Sequence, residues 1–176
     1  MTIPPTPQIV YRPAVLADAE QCAKVYNEGW IYAFTRTKLI SDDITKKVAE
    51  GRLAGLQSTI PLHGGIDKTG RMRIRAVKRT GCCSWISLEL LNMYIDTNFH
   101  GRGIGPNMVK EGIRLLGWTE KDGKMFCRVL ERNYRAVKFY EKMGGRVVNS
   151  EVTTKYSDFE QALLTMGWDS VLDVKC

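Results

Sequence analysis

The sequence predicts an α+β or mixed-sheet α/β domain, and three observations carry that prediction. Strand-like apolar runs separated by short turn signals dominate the middle of the chain. A strand, helix, strand, helix succession follows them. With 176 residues, of which 44% are hydrophobic, the chain can bury one substantial core and leaves little room for a second, so a single domain is expected over residues 1–176.

Taken in order, "IVYR" (9–12) reads as a short first strand, and "ADAEQCAKVYNEGW" (17–30) as a helix whose first turn holds Asp18 and Glu20, where the helix dipole favours acids. A second helix is expected from Ser41, a good cap, to Leu56, with Ile44, Val48, Leu53 and Leu56 as its inward stripe. "TIPLHGGI" (59–66), "RMRIRAV" (71–77) and "CSWISLELLNMYID" (83–96) are separated by "DKTG" and "KRTG", turn signals that predict antiparallel strands in series, although Pro61 weakens the first of them. A third helix, "MVKEGIRLLGW", then a strand, "KMFCRVL", come next. A fourth helix, "YRAVKFYEKM", has Asn133 as its cap and Gly144 and Gly145 as its stop, and "GRVVNSEVTT" with "FEQALLTM" forms a closing hairpin.

Composition narrows the function classes. No run approaches the ~20 apolar residues of a membrane span, and "MTIPPTPQIV" lacks the basic start and apolar stretch of a secretory leader, so a soluble, cytoplasmic protein is expected. Five cysteines, an odd number with Cys82 and Cys83 adjacent, favour reduced and mostly buried thiols over a disulfide framework, and no metal is expected. The formal charge of +7 is spread along the chain. Its densest stretch, "KTGRMRIRAVKR", alternates with apolar residues as a strand with one solvated face does, so nucleic acid is disfavoured and a local site for a phosphate-rich ligand suffices.

The most informative stretch is "NFHGRGIGPNM" (98–108), with glycines at 101, 103 and 105 between an apolar run and an amphipathic one. A helix that follows a glycine-rich loop presents free N–H groups and the positive end of its dipole, and glycine lets phosphates approach that backbone. A P-loop would need Gly-Lys-Ser or Gly-Lys-Thr, and a dinucleotide fingerprint would need a third glycine where Pro106 stands; neither is present. A plain glycine turn remains the alternative on this motif alone.

"LLNMYIDTNFHGRGIGPNMVKEGIRLL" resembles the acetyl-coenzyme A signature of the GNAT superfamily of N-acetyltransferases, in which an apolar-aromatic-apolar strand end leads through a Gln/Arg-x-x-Gly-x-Gly/Ala loop into a helix. "LERNYRAVKFYEKMGGRVV", about 30 residues on, is similar to the next motif of that family. The likeness is strong over 89–147 and looser elsewhere. It departs from the pattern at His100, where Gln or Arg is usual, and at Pro106, which offers no N–H and is expected at the first helical position.

The resemblance implies a mixed, mostly antiparallel central sheet of about seven strands flanked by about four helices. It implies acetyl-coenzyme A as co-substrate and direct transfer to a primary amine of a small molecule, with a homodimer possible. Protein amines, or an acyl-coenzyme A sensor without turnover, are the alternatives. For cofactor binding it points to Met93, Tyr94, Ile95, His100, Gly101, Arg102, Gly103, Ile104, Gly105, Asn133 and Tyr140. Acyl transfer needs a proton acceptor for the amine, a fixed donor for the oxyanion and a proton for the departing thiolate. Glu89, alone among apolar neighbours on its strand, is the candidate base through water, with an exposed strand residue as the alternative. Tyr140, on the inward stripe of its helix, is the candidate acid, with a core tyrosine as the alternative. Glu28, Trp30, Tyr32 and Phe34 are candidates for the acceptor side of the cleft, the aromatics able to stack on an amine or to fill the core.

Overall fold

The computed structural model describes residues 9–34, 46, 70–79, 85–118, 123–155 and 159–175. Among them one sheet holds β1 (Gly70–Arg79), β2 (Trp85–Ile95), β3 (Lys124–Leu130), β4 (Arg146–Thr153) and β5 (Gln161–Trp168), in the order β1-β2-β3-β5-β4. Neighbours are antiparallel except β2 and β3, which run parallel. A parallel pair needs a crossover, and α2 (Ile104–Leu115) supplies it. With α1 (Ala19–Phe34) and α3 (Tyr134–Lys142), this is the expected mixed, mostly antiparallel sheet with flanking helices. The helix expected from Ser41 to Leu56 and the strand expected over 59–66 lie outside the described residues, as do Cys82 and Cys83.

The core follows from period-two alternation meeting a helical stripe. Leu88 and Leu90 of β2, Met125, Cys127 and Val129 of β3, and Met166 and Trp168 of β5 are buried on one sheet face against Ile104, Met108, Val109 and Ile113 of α2. The Trp168 indole donates to the Met143 carbonyl at 2.9 Å, so the largest buried ring leaves no unmet donor. Cys22 and Cys127 are buried free thiols, as composition suggested.

Two boundaries correct the sequence reading. Residues 9–12 form no strand. Arg12 instead forks onto Asp18 at 2.7 and 2.8 Å, and with Pro13 following, the segment is drawn to the start of α1 rather than to a ladder. The helix after the glycines begins at Ile104, with Gly103 as a left-handed N-cap, so Pro106 is its third residue rather than its first. That position is still in the first turn, where an N–H has no intrahelical partner.

Candidate active site

Parallel pairing of β2 with β3 runs from Ser87–Lys124 only to Leu90–Cys127. At that point the ladder with β1 skips Leu91, since Arg73 pairs with Asn92 and Ile74 with Leu90. Such a bulge bends its strand. Beyond it, Asn92–Ile95 stay with β1 while Arg128–Leu130 pair with β5, and a cleft of about 940 Å³ opens between them. Met93, Tyr94 and Ile95 line it. Tyr94 packs on Tyr26 of α1, with ring centroids 4.4 Å apart, and leaves no room for a side chain at Gly29, where a Cβ would stand 2.5 Å from its ring.

The glycine loop forms one rim. Gly101 and Gly103 have φ of +75° and +72°, which other residues rarely adopt. A Cβ on Gly101 would meet nothing within 4 Å, and one on Gly103 only Asn107 Nδ2 at 3.9 Å, so both glycines border open space. The bond from Asn107 N–H to Gly103 O, 3.3 Å, is where α2's i→i−4 ladder begins. The amides of Ile104 and Gly105 precede it at the positive helix end. This cradle fits the phosphates of a coenzyme A. Gly105 serves packing as well, because a Cβ there would stand 2.8 Å from the Phe139 ring and 3.3 Å from Ile95.

His100 lies at the rim with its ring turned to the protein. Nδ1 is 2.7 Å from Arg135 Nη2, which can only donate, so Nε2 carries the hydrogen and donates to the Ile95 carbonyl at 2.9 Å. Arg135 also donates to the Tyr32 hydroxyl and lies 5.0 Å over the Tyr32 ring. Tyr32, Arg135 and His100 thus strap the end of α1 to the loop and to the start of α3. Nothing in the sequence analysis singled out Arg135; its place two residues after the Asn133 cap was the available signal. Asn133 lines the cleft and caps α3, accepting from the Ala136 amide at 3.3 Å.

Tyr140 lines the opposite wall, held edge-on by Phe139 at 5.3 Å and Trp168 at 6.1 Å. Burial, then the neighbouring Cys127 and Tyr94, pushes the phenol well above its ordinary range, so it holds its proton. Burial likewise pushes the Cys127 thiol up.

Other expected residues are placed differently. Glu89 is buried, 2% exposed, so the exposed-strand alternative does not hold. It is not part of the cleft lining; Arg128, which donates to Glu89 Oε1 at 3.0 Å, is. Glu28 shares an outer stripe of α1 with Lys24 and Ile31, pairs with Lys24 at 3.9 Å and stands outside the lining, because helical period turns Gly29, Trp30, Tyr32 and Ala33 inward instead. Arg102 is exposed, 5.3 Å over the Phe99 ring, and also outside the lining. Trp30 and Tyr32 line the cleft, and the side chain of Phe34 lies outside what the structure describes.

The bulge of β2, the glycine loop at the start of α2 and Tyr140 of α3 thus border one cleft. Residues 66–144 match the acetyltransferase (GNAT) domain. No curated protein matches the chain by sequence. Solved structures of similar fold include the paiA N-acetyltransferase of Thermoplasma acidophilum in complex with coenzyme A, 18% identical over 92% of this chain and 99% of that one, with TM-score 0.70. Another is yncA of Salmonella typhimurium with its cofactor acetyl-CoA, 15% identical over 93% and 94%, TM-score 0.58. A third is NAA60 of Arabidopsis thaliana in complex with acetyl-CoA, 13% identical over 92% and 99%, TM-score 0.60. Among the described residues no helix is long and apolar enough to cross a membrane.

Proposed function

We propose that the protein transfers the acetyl group of acetyl-coenzyme A directly to the primary amine of a small molecule. The observation that carries this is one cleft in which the parting of β2 from β3, the Gly101–Gly105 cradle and the Tyr140 hydroxyl all meet. The complexes of paiA with coenzyme A and of yncA and NAA60 with acetyl-CoA support the co-substrate.

Acetyl-coenzyme A, when bound, supplies the acetyl thioester. The amides of Ile104 and Gly105 and the open backbone at Gly101 and Gly103 hold its phosphates, while Met93, Tyr94 and Ile95, freed from β3, offer main-chain groups to its pantetheine arm. Asn133 fixes the start of α3 beside it. Tyr140, kept protonated by burial, gives its proton to the departing sulfur. Glu89 receives the proton of the amine through water, since the carboxylate itself lies behind Arg128. Trp30 and Tyr32 form the acceptor wall.

A thiol-release assay with acetyl-coenzyme A against a broad panel of primary amines tests this. Release that depends on the amine is expected; release that is absent, or the same with and without amine, would contradict transfer.

A further inference from the structure

Among the described residues, the cleft carries the cations Arg128, Arg132, Arg135, Lys142 and Lys175 and no aspartate or glutamate. Most of these have local engagements: Arg135 holds Tyr32 and His100, Arg132 lies 5.5 Å over the Phe159 ring, and Lys142 ends α3. Arg128 is anchored from behind. Its Nη2 donates to Glu89 at 3.0 Å, where the carboxylate side chain is 3% exposed and the Arg128 side chain 49%. Burying a carboxylate in a sheet is costly, and its pairing here fixes a guanidinium at one nitrogen while half of that side chain stays open.

Alternation along β3 puts Arg128 on the face opposite Cys127 and Val129. Tyr140, Ile95 and the glycine loop belong to the Cys127 face. The Arg128 face is the one on which Asn92 accepts from the Tyr26 hydroxyl at 3.0 Å and Tyr94 meets α1. A fixed, forked cation on the acceptor's side is suited to a planar anion.

We infer, building on the acetyl transfer proposed above, that Arg128 anchors a carboxylate carried by the acceptor. The substrate is then amino-acid-like, with a primary amine and a carboxylate in one small molecule. A polycationic acceptor would meet a cleft in which the described lining holds lysine and arginine but no carboxylate.

The test is a calorimetric titration of free α-amino acids, their α-amides and the matching decarboxylated amines into the protein, with and without coenzyme A. The amino acids should bind about tenfold to a hundredfold more tightly than their amides, the range of a charge-assisted hydrogen bond. Arg128→Gln should abolish that preference. Because it takes the Arg128 charge away from the buried Glu89 carboxylate and can destabilise the chain, the Glu89→Gln/Arg128→Gln double variant, which removes both charges, should show the same loss. Amides that bind as tightly as the acids, a preference that survives in the variants, or no binding by any amino acid would each overturn the anchor. Thiol release is followed separately. Its absence for every amine would sink the transfer function, while Arg128-dependent binding of carboxylates would still uphold the anchor.

Discussion

Tyr140→Phe removes one oxygen and leaves the ring between Phe139 and Trp168, so its effect can be assigned to the hydroxyl. If that hydroxyl protonates the departing thiolate, kcat and kcat/KM fall together by about 10²-fold, the low end of general acid catalysis, while coenzyme A affinity falls far less. Full turnover would reduce Tyr140 to packing. The raised phenol also has a sign in stability. The folded state holds the neutral form more tightly, so this contribution is complete below about pH 10 and is lost as pH climbs through the raised value. Denaturant midpoints of the wild type should drop more steeply above about pH 10 than those of Tyr140→Phe, and parallel curves would refute this. The Asn133 cap and the inward place of Tyr140 were legible because a helix cap and a helical stripe are local patterns, whereas a chemical role for the Tyr140 hydroxyl rested on the family resemblance. Arg128 and Arg135 were not, since their partners Glu89 and Tyr32 lie 39 and 103 residues away, and only the folded sheet brings them together.

At the scale of elements, the two ends of the glycine loop should respond differently. Gly103→Val places a branched side chain at the left-handed position of the cradle. With φ at +72° a branched residue there costs about 1–2 kcal/mol, so a lower melting temperature is expected beside a loss of coenzyme A affinity. Unchanged affinity in the folded variant would remove the cradle. Gly105→Ala acts through packing, because its Cβ meets Phe139 at 2.8 Å; a destabilisation of about 1–3 kcal/mol is expected in chemical denaturation, and a neutral result would show that Phe139 yields freely. Period and turn chemistry revealed β3, α3 and the β4–β5 hairpin nearly to the residue. They failed at 9–12, where an Arg12–Asp18 ion pair and Pro13 overrode a four-residue strand signal, and at the start of α2, where Gly103 opens the helix before its apolar stripe becomes visible.

For the whole molecule, the +7 charge takes on meaning only through the cleft, where cations gather among the described residues. Raising ionic strength from about 0.05 to about 0.5 M should increase KM for acetyl-coenzyme A several-fold with little change in kcat, because salt screens the phosphates from these side chains. A salt-independent KM would mean that the loop amides alone hold them. The mixed sheet was legible from the order of elements, but the bulge at Leu91 that opens it was not, since a skipped residue shows only in the register with β1. The most direct test of the central claim is a single turnover, in which protein loaded with acetyl-coenzyme A is mixed with an accepted amine and free thiol and acetylated amine are counted together. One thiol per acetylated amine, appearing only when amine is present, is predicted; loaded protein that keeps its acetyl group whatever amine is added would contradict it.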